Sequence, residues 1–292
     1  MKILLTGATG GIGQALAKRL NFDGVDLLLQ GRDQNKLNAL ASQLDDSKAR
    51  IELLVADING VDDRLRLVYE AERFGADTLI NNAGVNQFSL FTQTNIDQII
   101  QTNVSSTLLL TQALLPVLLE SITPRIVNVG SAFGSIGYPG YVTYCAAKHA
   151  IKGFSEALKR EYSDSALEVI YISPRATKTS MNVEAATELN RVLGAGTDTA
   201  DVVAEEVLAS IRKHRSRRQL GFAEKFQAKL NALLPGLVDQ AIARQLVTIK
   251  HYLNLEIPNE TSHHSVVVNN IEPIRDRGFG RSSTKELGNR QL

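Results

Sequence analysis

The sequence predicts an α/β fold in which a doubly wound parallel sheet carries helices on both faces. Six short apolar runs alternate with segments whose apolar residues recur at helical spacing, and this order begins within the first residues. Apolar runs without strict alternation are typical of buried parallel strands, which are joined by right-handed crossovers. The 292 residues, 43% of them hydrophobic, are enough for a large core.

The predicted strands are the apolar runs at residues 3–5, 25–29, 51–55, 78–80, 126–129 and 169–172. The predicted helices are residues 13–20, 36–44, 62–74, 96–119, 144–162 and 198–213. Thr197 or Asp198 is the expected cap of the last of these helices.

The chain changes character after Leu220. Residues 222–232 and 237–252 have apolar side chains at helical spacing, and Pro235-Gly236 separates the two segments. We expect one domain over residues 1–255, with residues 222–254 as a helical C-terminal extension. Residues 256–292 are polar and poor in aromatic residues, which predicts a mostly disordered tail, although Val266-Val267-Val268 could form a short strand or docking segment.

Composition narrows the function classes. The formal net charge of +1 gives no reason to expect a nucleic-acid partner. Cys145 is the one cysteine, which excludes an internal disulfide framework and fits a reducing cytoplasm. We expect no metal site, no signal peptide and no apolar run of transmembrane length. The dense basic run 212–218 is expected to be a solvated helix end, with contact to an anionic lipid or an acyl-carrier protein as the alternative.

The first strand runs into Thr6-Gly7-Ala8-Thr9-Gly10-Gly11-Ile12-Gly13, which opens the first helix. Glycines allow the tight turn and let backbone N–H groups approach a pyrophosphate at the helix N-terminus. The position between a strand and a helix, at the start of a strand–helix series, therefore predicts a dinucleotide site rather than a plain connection.

The second strand ends at Gln30-Gly31-Arg32, where NAD-selective sites commonly place an acidic residue on the ribose hydroxyls. An arginine attracts a 2′-phosphate, whereas a carboxylate repels it. NADP(H) is therefore favoured over NAD(H). The alternative is an exposed Arg32 with Asp33 as the ribose partner. After the third strand, Asp57 is placed to reach the adenine amine or to cap a helix entry.

Tyr144 and Lys148 lie four residues apart on a predicted helix, so their side chains share one face about one turn apart. There the ammonium can favour the phenolate and make the phenol a better proton donor. Ser131 follows the fifth strand, at the sheet edge where ligands bind, and can hydrogen-bond a substrate carbonyl. Asn103 lies inside the predicted helix 96–119, where it could hold a water that links Lys148 to solvent.

Together these residues resemble the short-chain dehydrogenase/reductase family. The matching motifs are Thr6-Gly7-x-x-x-Gly11-x-Gly13, Asp57, Asn81-Asn82-Ala83-Gly84, Asn103, Ser131, Tyr144-x-x-x-Lys148 and Pro174-Arg175-Ala176-Thr177 with Thr179. The resemblance spans about residues 1–220 and implies a Rossmann-like fold with Asn103, Ser131, Tyr144 and Lys148 as the catalytic tetrad. The expected cofactor contacts are Gly7, Thr9, Gly11, Ile12, Gly13, Arg32, Asp57, Ile58, Asn82, Ala83, Gly84, Tyr144, Lys148, Pro174, Thr177 and Thr179.

The resemblance implies hydride transfer between NADP(H) and a small-molecule carbonyl or alcohol, most simply by a carbonyl reductase. Two alternatives stay open: a cofactor-binding regulator without chemistry, and a membrane-peripheral enzyme that uses residues 212–252 to reach lipid-like ketones. The family implies a homodimer or homotetramer formed through helices 96–119 and 144–162. One departure is Arg175, which stands where the family usually has glycine and could favour an acidic substrate or point outward.

Overall fold

The computed structural model describes residues 1–255, so the predicted tail 256–292, with its possible strand at Val266-Val267-Val268, lies outside the described residues. The strands are β1 Lys2–Leu5, β2 Asp26–Gly31, β3 Ile51–Val55, β4 Thr78–Asn81, β5 Arg125–Val129, β6 Glu168–Ser173, β7 Ala176–Thr177, β8 Thr197–Asp198 and β9 Arg217–Gln219. The helices are α1 Gly11–Phe22, α2 Gln34–Ala41, α3 Val61–Phe74, α4 Ile96–Ile100, α5 Ser106–Leu119, α6 Val142–Glu161, α7 Glu184–Val192, α8 Ala200–Arg212, α9 Phe222–Leu233 and α10 Pro235–Leu255.

Seven strands form the central sheet in the order β3-β2-β1-β4-β5-β6-β9, and every neighbouring pair is parallel. The order reverses direction at β1, which is the doubly wound pattern of a Rossmann-like sheet. The predicted α/β fold class is therefore confirmed. The reversal opens a crevice beyond the carboxyl ends of β1 and β4, where the glycine-rich loop and Asn82 meet.

Successive residues of one strand supply the two cores on opposite faces of the sheet. In β1, Leu5 packs into a cluster with Leu16 of α1 and Val203 of α8. Leu4 points the other way and packs with Leu67 of α3 and Leu110 of α5. All six side chains are essentially inaccessible to solvent, which explains why the strands are apolar without alternation.

The predicted helix 96–119 is interrupted in the middle. Residues Gln101–Ser105 form a π-helical turn between α4 and α5, and Asn103 lies buried within it. π-Helical turns occur mostly as single-turn bulges inside α-helices, and these bulges are frequent at functional sites. Across the described residues, Ile96–Leu119 is the one helical segment whose length and apolar composition would suffice to cross a membrane, whereas none was expected. Leu110, Leu114 and Leu118 of this segment pack into the sheet core, as in a core helix of a globular domain.

Three elements depart from the sequence prediction. Helix α7 and the small β7–β8 pair are absent from the predicted helices and strands. The basic run is not a helix end throughout, because Arg217 and Arg218 belong to edge strand β9. Helix α8 is capped by Thr199, whose hydroxyl accepts from the Val202 N–H, rather than by Thr197 or Asp198.

The two predicted C-terminal helices are present. Helix α10 begins with Pro235, whose missing N–H costs nothing at a first helical position. Its far end is buried, because Ile249 and Leu253 pack in one cluster with Phe88 and Tyr141. Helix α10 is therefore part of the described domain and borders the segment that carries Tyr144.

Candidate active site

The glycine loop is built by close backbone approach. Gly7 has a φ of +63°, and a side chain there would meet the Ala83 Cα at 2.7 Å. A side chain at Gly13 would lie 2.2 Å from the Gly7 carbonyl oxygen. Gly10, the residue before α1, offers no side-chain cap, so the first N–H groups of α1 are left for another acceptor. This geometry suits an anionic diphosphate, and the residues present fit a dinucleotide cofactor.

Thr6 and Asn82 fasten the loop to the strand beside it. The Thr6 hydroxyl donates to the Ile80 carbonyl and accepts from the N–H groups of Asn82 and Ala83. The Asn82 amide donates to the carbonyls of Thr6 and Gly7 at 3.1 and 3.0 Å. These hydrogen bonds tie the end of β1 to the end of β4 and hold the glycine loop against the Asn-Asn-Ala-Gly segment.

Gln30 is a site residue that sequence reasoning missed. Its buried side chain accepts from the Gly7 N–H at 2.8 Å and donates to the Ala56 carbonyl at 2.6 Å. It thus links the glycine loop to the segment after β3. A polar residue inside the apolar strand β2 was the available signal, since buried amides need partners.

A cavity of about 420 Å³ runs along the carboxyl ends of the strands. It is lined by Gly7, Thr9, Gly11, Ile12, Gly13, Arg32, Asp57, Ile58, Asn82, Ala83, Gly84, Tyr144, Lys148 and Thr179 among the predicted site residues, and also by Gln30, Lys36, Asn86, Thr102 and Met181. The glycine loop and the Tyr144–Lys148 pair therefore open onto one continuous space.

At one end of this cavity, Arg32 and Lys36 are two exposed cations that line its wall. The neighbouring carboxylate is engaged elsewhere, because Asp33 caps α2 by accepting from the Lys36 N–H at 3.1 Å. Asp57 also lines the cavity and accepts from the Asn59 N–H at 3.0 Å, within the loop before α3. Positive side chains therefore dominate the end of the cavity next to β2.

At the other end, Tyr144 and Lys148 lie on one face of α6. The Lys148 ammonium is 5.6 Å from the centre of the Tyr144 ring and donates to the Val129 carbonyl at 3.1 Å. Burial lowers the pKa of Lys148 to about 8. Burial also raises the pKa of Tyr144 above its ordinary value, while a hydrogen bond with Ser131 lowers it. Burial of the phenol thus affects its pKa more than the Ser131 hydrogen bond does, and the lowering of this pKa by Lys148 stays a prediction.

Ser131 and Asn103 support this pair from the sides. The Ser131 hydroxyl caps the short turn Ala132–Gly134 by accepting from the Phe133 N–H at 3.1 Å, and it is the hydroxyl that faces Tyr144. The Asn103 amide accepts from the Val85 N–H and donates to the Val85 carbonyl, both at 2.8 Å. Its side chain therefore positions the segment after Gly84, and neither Ser131 nor Asn103 lines the cavity itself.

An aromatic wall flanks the reacting tyrosine. Phe133 lies 6.3 Å from the Tyr144 ring in an edge-on arrangement and 5.0 Å from the Tyr141 ring. Tyr138 stacks on Phe133 at 5.5 Å, and Phe88 contacts Tyr141 at 5.1 Å. These rings favour an apolar or aromatic ligand beside Tyr144.

The remaining predicted cofactor contacts, Pro174, Thr177 and Thr179, lie in the segment after β6, and of these only Thr179 lines the cavity. Thr179 lies against the start of α1, where a side chain on Gly11 would meet its methyl group at 2.5 Å. Pro174 and Thr177 do not line the cavity, so their contact with a cofactor stays a prediction. Arg175 matches neither expectation, because its guanidinium is held by Asp198 at 2.7 Å instead of lying free at the entrance or pointing outward.

The described residues contain no group of three potential metal ligands, and Cys145 is packed in the core, where burial raises the pKa of its thiol to about 11. The chemistry available is therefore that of a buried phenol, a buried amine and a hydroxyl beside a nucleotide cleft. The adjacent histidines His263-His264, which the sequence predicts to be a solvated pair and not a metal site, lie outside the described residues.

Comparison with known proteins agrees with this geometry. A family model described as short chain dehydrogenase matches residues 1–190. The 3-oxoacyl-[acyl-carrier-protein] reductase of Haemophilus influenzae is 32% identical over 182 residues, which are 61% of this chain and 74% of the relative. A short-chain dehydrogenase from Sphingobium yanoikuyae in complex with NADPH has a TM-score of 0.68 and 28% identity over 90% of this chain and 99% of its own.

A further structure supports the fold alone. It is a short-chain dehydrogenase/reductase from Burkholderia phymatum in complex with NAD, with a TM-score of 0.72 and 22% identity over 81% of this chain and 94% of its own. The family-model match covers the glycine loop, the Asn-Asn-Ala-Gly segment and the Tyr144–Lys148 pair together. This chain belongs to the short-chain dehydrogenase/reductase family and is an oxidoreductase of that family.

Proposed function

We propose that this enzyme is an NADP(H)-dependent carbonyl reductase. The observation that carries the proposal is that one cavity joins two cations, Arg32 and Lys36, to the Tyr144–Lys148 pair through the glycine loop. A 2′-phosphate suits the cations, and a carbonyl oxygen suits the phenol. The homologous reductase acts on 3-oxoacyl groups according to its name, which supports reduction of a ketone.

The bound cofactor would supply a hydride to the substrate carbonyl carbon. Tyr144 then gives its phenolic proton to the carbonyl oxygen, while Ser131 holds that oxygen through a hydrogen bond. Lys148, with its pKa lowered to about 8, can take part in returning a proton to Tyr144 near neutral pH. The stacked rings of Phe133 and Tyr138 form an apolar wall beside Tyr144, and Asn103 holds the backbone at Val85.

The choice of NADP(H) over NAD(H) rests on charge. Arg32 and Lys36 line the cleft, whereas Asp33 caps α2 and does not line the cleft. Neighbours solved with NADPH and with NAD both exist, so the preference is argued from these side chains. We also propose assembly as a homodimer or homotetramer through α4–α5 and α6, and a reducing cytoplasm as its location because the one cysteine is free and buried.

A reduction screen tests the proposal. Purified protein is assayed for NADPH oxidation with ketosteroids, β-ketoacyl thioesters, quinones, aldehydes and small sugars, each also with NADH. Turnover of at least one ketone with NADPH, and loss of that turnover in Tyr144→Phe, is the expected result. Tight NADPH binding without turnover on any member of the panel would instead favour a regulator that keeps the fold and does no chemistry.

A further inference from the structure

Helix α9 has its polar and apolar faces reversed relative to a helix packed on a core. Phe222, Phe226 and Leu233 are 87%, 59% and 78% exposed. At about 100° per residue these three side chains fall within about 40° of one another on the helix. Glu224 and Asn231 lie on the opposite side, and both contact the protein body. The helix therefore turns its aromatic residues outward.

The body-facing contacts are specific. The Asn231 amide donates to the Ser135 carbonyl at 3.0 Å, four residues after Ser131. A carboxylate oxygen of Glu224 is buried without a hydrogen-bond partner. The negative charge of Glu224 is one of the causes that raise the pKa of Arg175, after the hydrogen bond with Asp198. The Asn231 hydrogen bond and the buried Glu224 oxygen thus mark the side of α9 that faces the protein body, and Phe222 and Phe226 lie on the opposite, exposed side.

The turn into α10 extends this apolar surface. Leu234 and Leu237, on either side of Pro235-Gly236, are 54% and 53% exposed. We use the term hairpin patch for the set Phe222, Phe226, Leu233, Leu234 and Leu237. Exposed apolar residues that lie together mark an interaction site, whereas scattered single ones do not.

The charge around the hairpin patch indicates its partner. Residues 212–255 hold nine lysines and arginines against two acidic residues, whereas the whole chain carries a net charge of only +1. Three of the nine are paired with acidic residues, namely Arg212 with Asp23, Arg217 with Glu156 and Arg218 with Glu206. The other six make no ion pair with a described residue: Lys213, Arg215, Lys225, Lys229, Arg244 and Lys250.

These cations lie beside the patch. Arg215 and Lys225 both act on the carboxylate of Glu206, which brings the basic run next to the start of α9. Lys225 and Lys229 flank Phe222 and Phe226 on the same side of the helix, by helical spacing. Lysines next to exposed aromatic side chains are typical of helices that lie in a lipid–water interface, because their stems reach past the apolar face.

We infer that the hairpin patch docks this enzyme onto an anionic lipid bilayer. The exposed rings and leucines would enter the acyl boundary while Lys225, Lys229 and Arg215 contact the lipid headgroups. A second copy of the chain is a poorer occupant, because a two-fold interface would bring the same cations against themselves. Among residues 1–255 neither α9 nor α10 combines the length and apolar composition of a membrane-crossing helix, so the hairpin would lie on the bilayer without crossing it.

Vesicle flotation tests the inference without substrate or cofactor, so its outcome is separate from that of the proposed function. The protein is mixed with vesicles of phosphatidylcholine alone or of phosphatidylcholine with phosphatidylglycerol, at low and at physiological salt. We expect flotation with the anionic vesicles and less flotation at higher salt. The double variant Phe222→Ser, Phe226→Ser should lose at least about tenfold in vesicle affinity.

Matched controls separate docking from general exposure. Leu65→Ser with Tyr69→Ser removes two apolar side chains that are each 63% exposed on α3, and should leave flotation unchanged. Lys225→Gln with Lys229→Gln should weaken anionic binding by about fivefold per lysine, whereas Lys18→Gln with Lys48→Gln should not. All variants must keep the thermal unfolding temperature of the wild type.

Three outcomes would overturn the inference. They are absence of flotation of the wild type at low salt, flotation that the Phe222 and Phe226 substitutions leave intact, and equal flotation with neutral and anionic vesicles. Light scattering on the same variants adds a fourth. Conversion of an oligomer to a monomer by the Phe222 and Phe226 substitutions would assign the patch to an interface between copies.

Discussion

The nucleotide half of the cleft and the reacting half are built by different means. The glycine loop, Gln30, Thr6 and Asn82 form a closed network in which backbone and side-chain groups satisfy one another. Around Tyr144, by contrast, the wall comes from separate parts of the chain: the segment before α6, helix α7 and the far end of α10. The first half is held together by hydrogen bonds between the ends of neighbouring strands, the second by apolar packing of separate elements.

Buried polar atoms show the same division. Within residues 1–255, the five buried side-chain atoms without a hydrogen-bond partner belong to Asn86, Thr143, Ser173, Arg175 and Glu224. All five lie beyond Gly84, on the reacting side or next to the C-terminal hairpin. On the nucleotide side the open polar groups are thus the backbone N–H groups at the start of α1, whereas the reacting side keeps polar side-chain atoms that a ligand or a movement could satisfy.

The largest expected effect comes from the reacting half. Tyr144→Phe removes the proton donor, so kcat for carbonyl reduction should fall about 10²- to 10⁴-fold. Affinity for NADPH should change little, since the glycine loop is untouched. Steady-state kinetics and fluorescence titration measure the two quantities. Tyr138→Phe is the matched control, because it deletes a hydroxyl from the same aromatic wall; equal losses in both variants would contradict the role of Tyr144.

A second prediction for the reacting half concerns the burial of the Lys148 ammonium. Folding lowers its pKa from an ordinary 10.5 to about 8, so between these pH values the unfolded chain binds more protons. The free energy of unfolding should therefore rise with pH through this window, by up to about 3 kcal/mol, and the full cost applies below it. Urea unfolding of the wild type and Lys148→Met at several pH values measures this. If the unfolding free energies of the two proteins changed with pH by the same amount, the Lys148 ammonium would not be buried.

Arg32 tests the nucleotide half. Arg32→Ala removes a charged hydrogen-bond donor from the cleft, which should weaken NADPH binding about tenfold to a hundredfold while leaving NADH binding nearly unchanged. Titration of both cofactors measures the ratio. Lys18→Ala removes a cation from the outer side of α1 and serves as control. A preference for NADPH that survives Arg32→Ala would remove the charge argument.

Arg175 gives the smallest expected effect, confined to the junction with the C-terminal hairpin. Arg175→Gly restores the residue usual in the family but leaves the Asp198 carboxylate, 9% exposed as a residue, without its partner. The cost should be about 1–3 kcal/mol of unfolding free energy, with NADPH affinity retained. Adding Asp198→Asn should recover part of the loss. A variant as stable as the wild type would show that the pair is dispensable.

The same contrast explains what sequence could predict. Strands β1 to β6 and the glycine loop were predictable because apolar runs and turn residues are local signals. Strand β9 was missed because Arg217, Arg218 and Gln219 form a polar edge strand of three residues without apolar periodicity. The π-helical turn that carries Asn103 has no sequence signature beyond an asparagine inside a helix.

The site residues divide in the same way. The residues of the Tyr144–Lys148 pair and the glycine loop were identified from spacing, and the structure brings them to one cavity. The ion pair between Arg175 and Asp198 joins positions 23 residues apart, and only folding reveals it. The burial of the Tyr144 phenol, which raises its pKa, is likewise invisible in the sequence, because the spacing shows the neighbouring amine but not the packing around the ring.

The central claim is that the two halves meet at one nicotinamide. A crystal structure of the NADPH complex tests it most directly. The account predicts the diphosphate at the start of α1, the adenosine phosphate between Arg32 and Lys36, and the nicotinamide ring beside Tyr144 and Lys148. A complex in which the cofactor binds the glycine loop but its nicotinamide ring lies away from Tyr144 would contradict it.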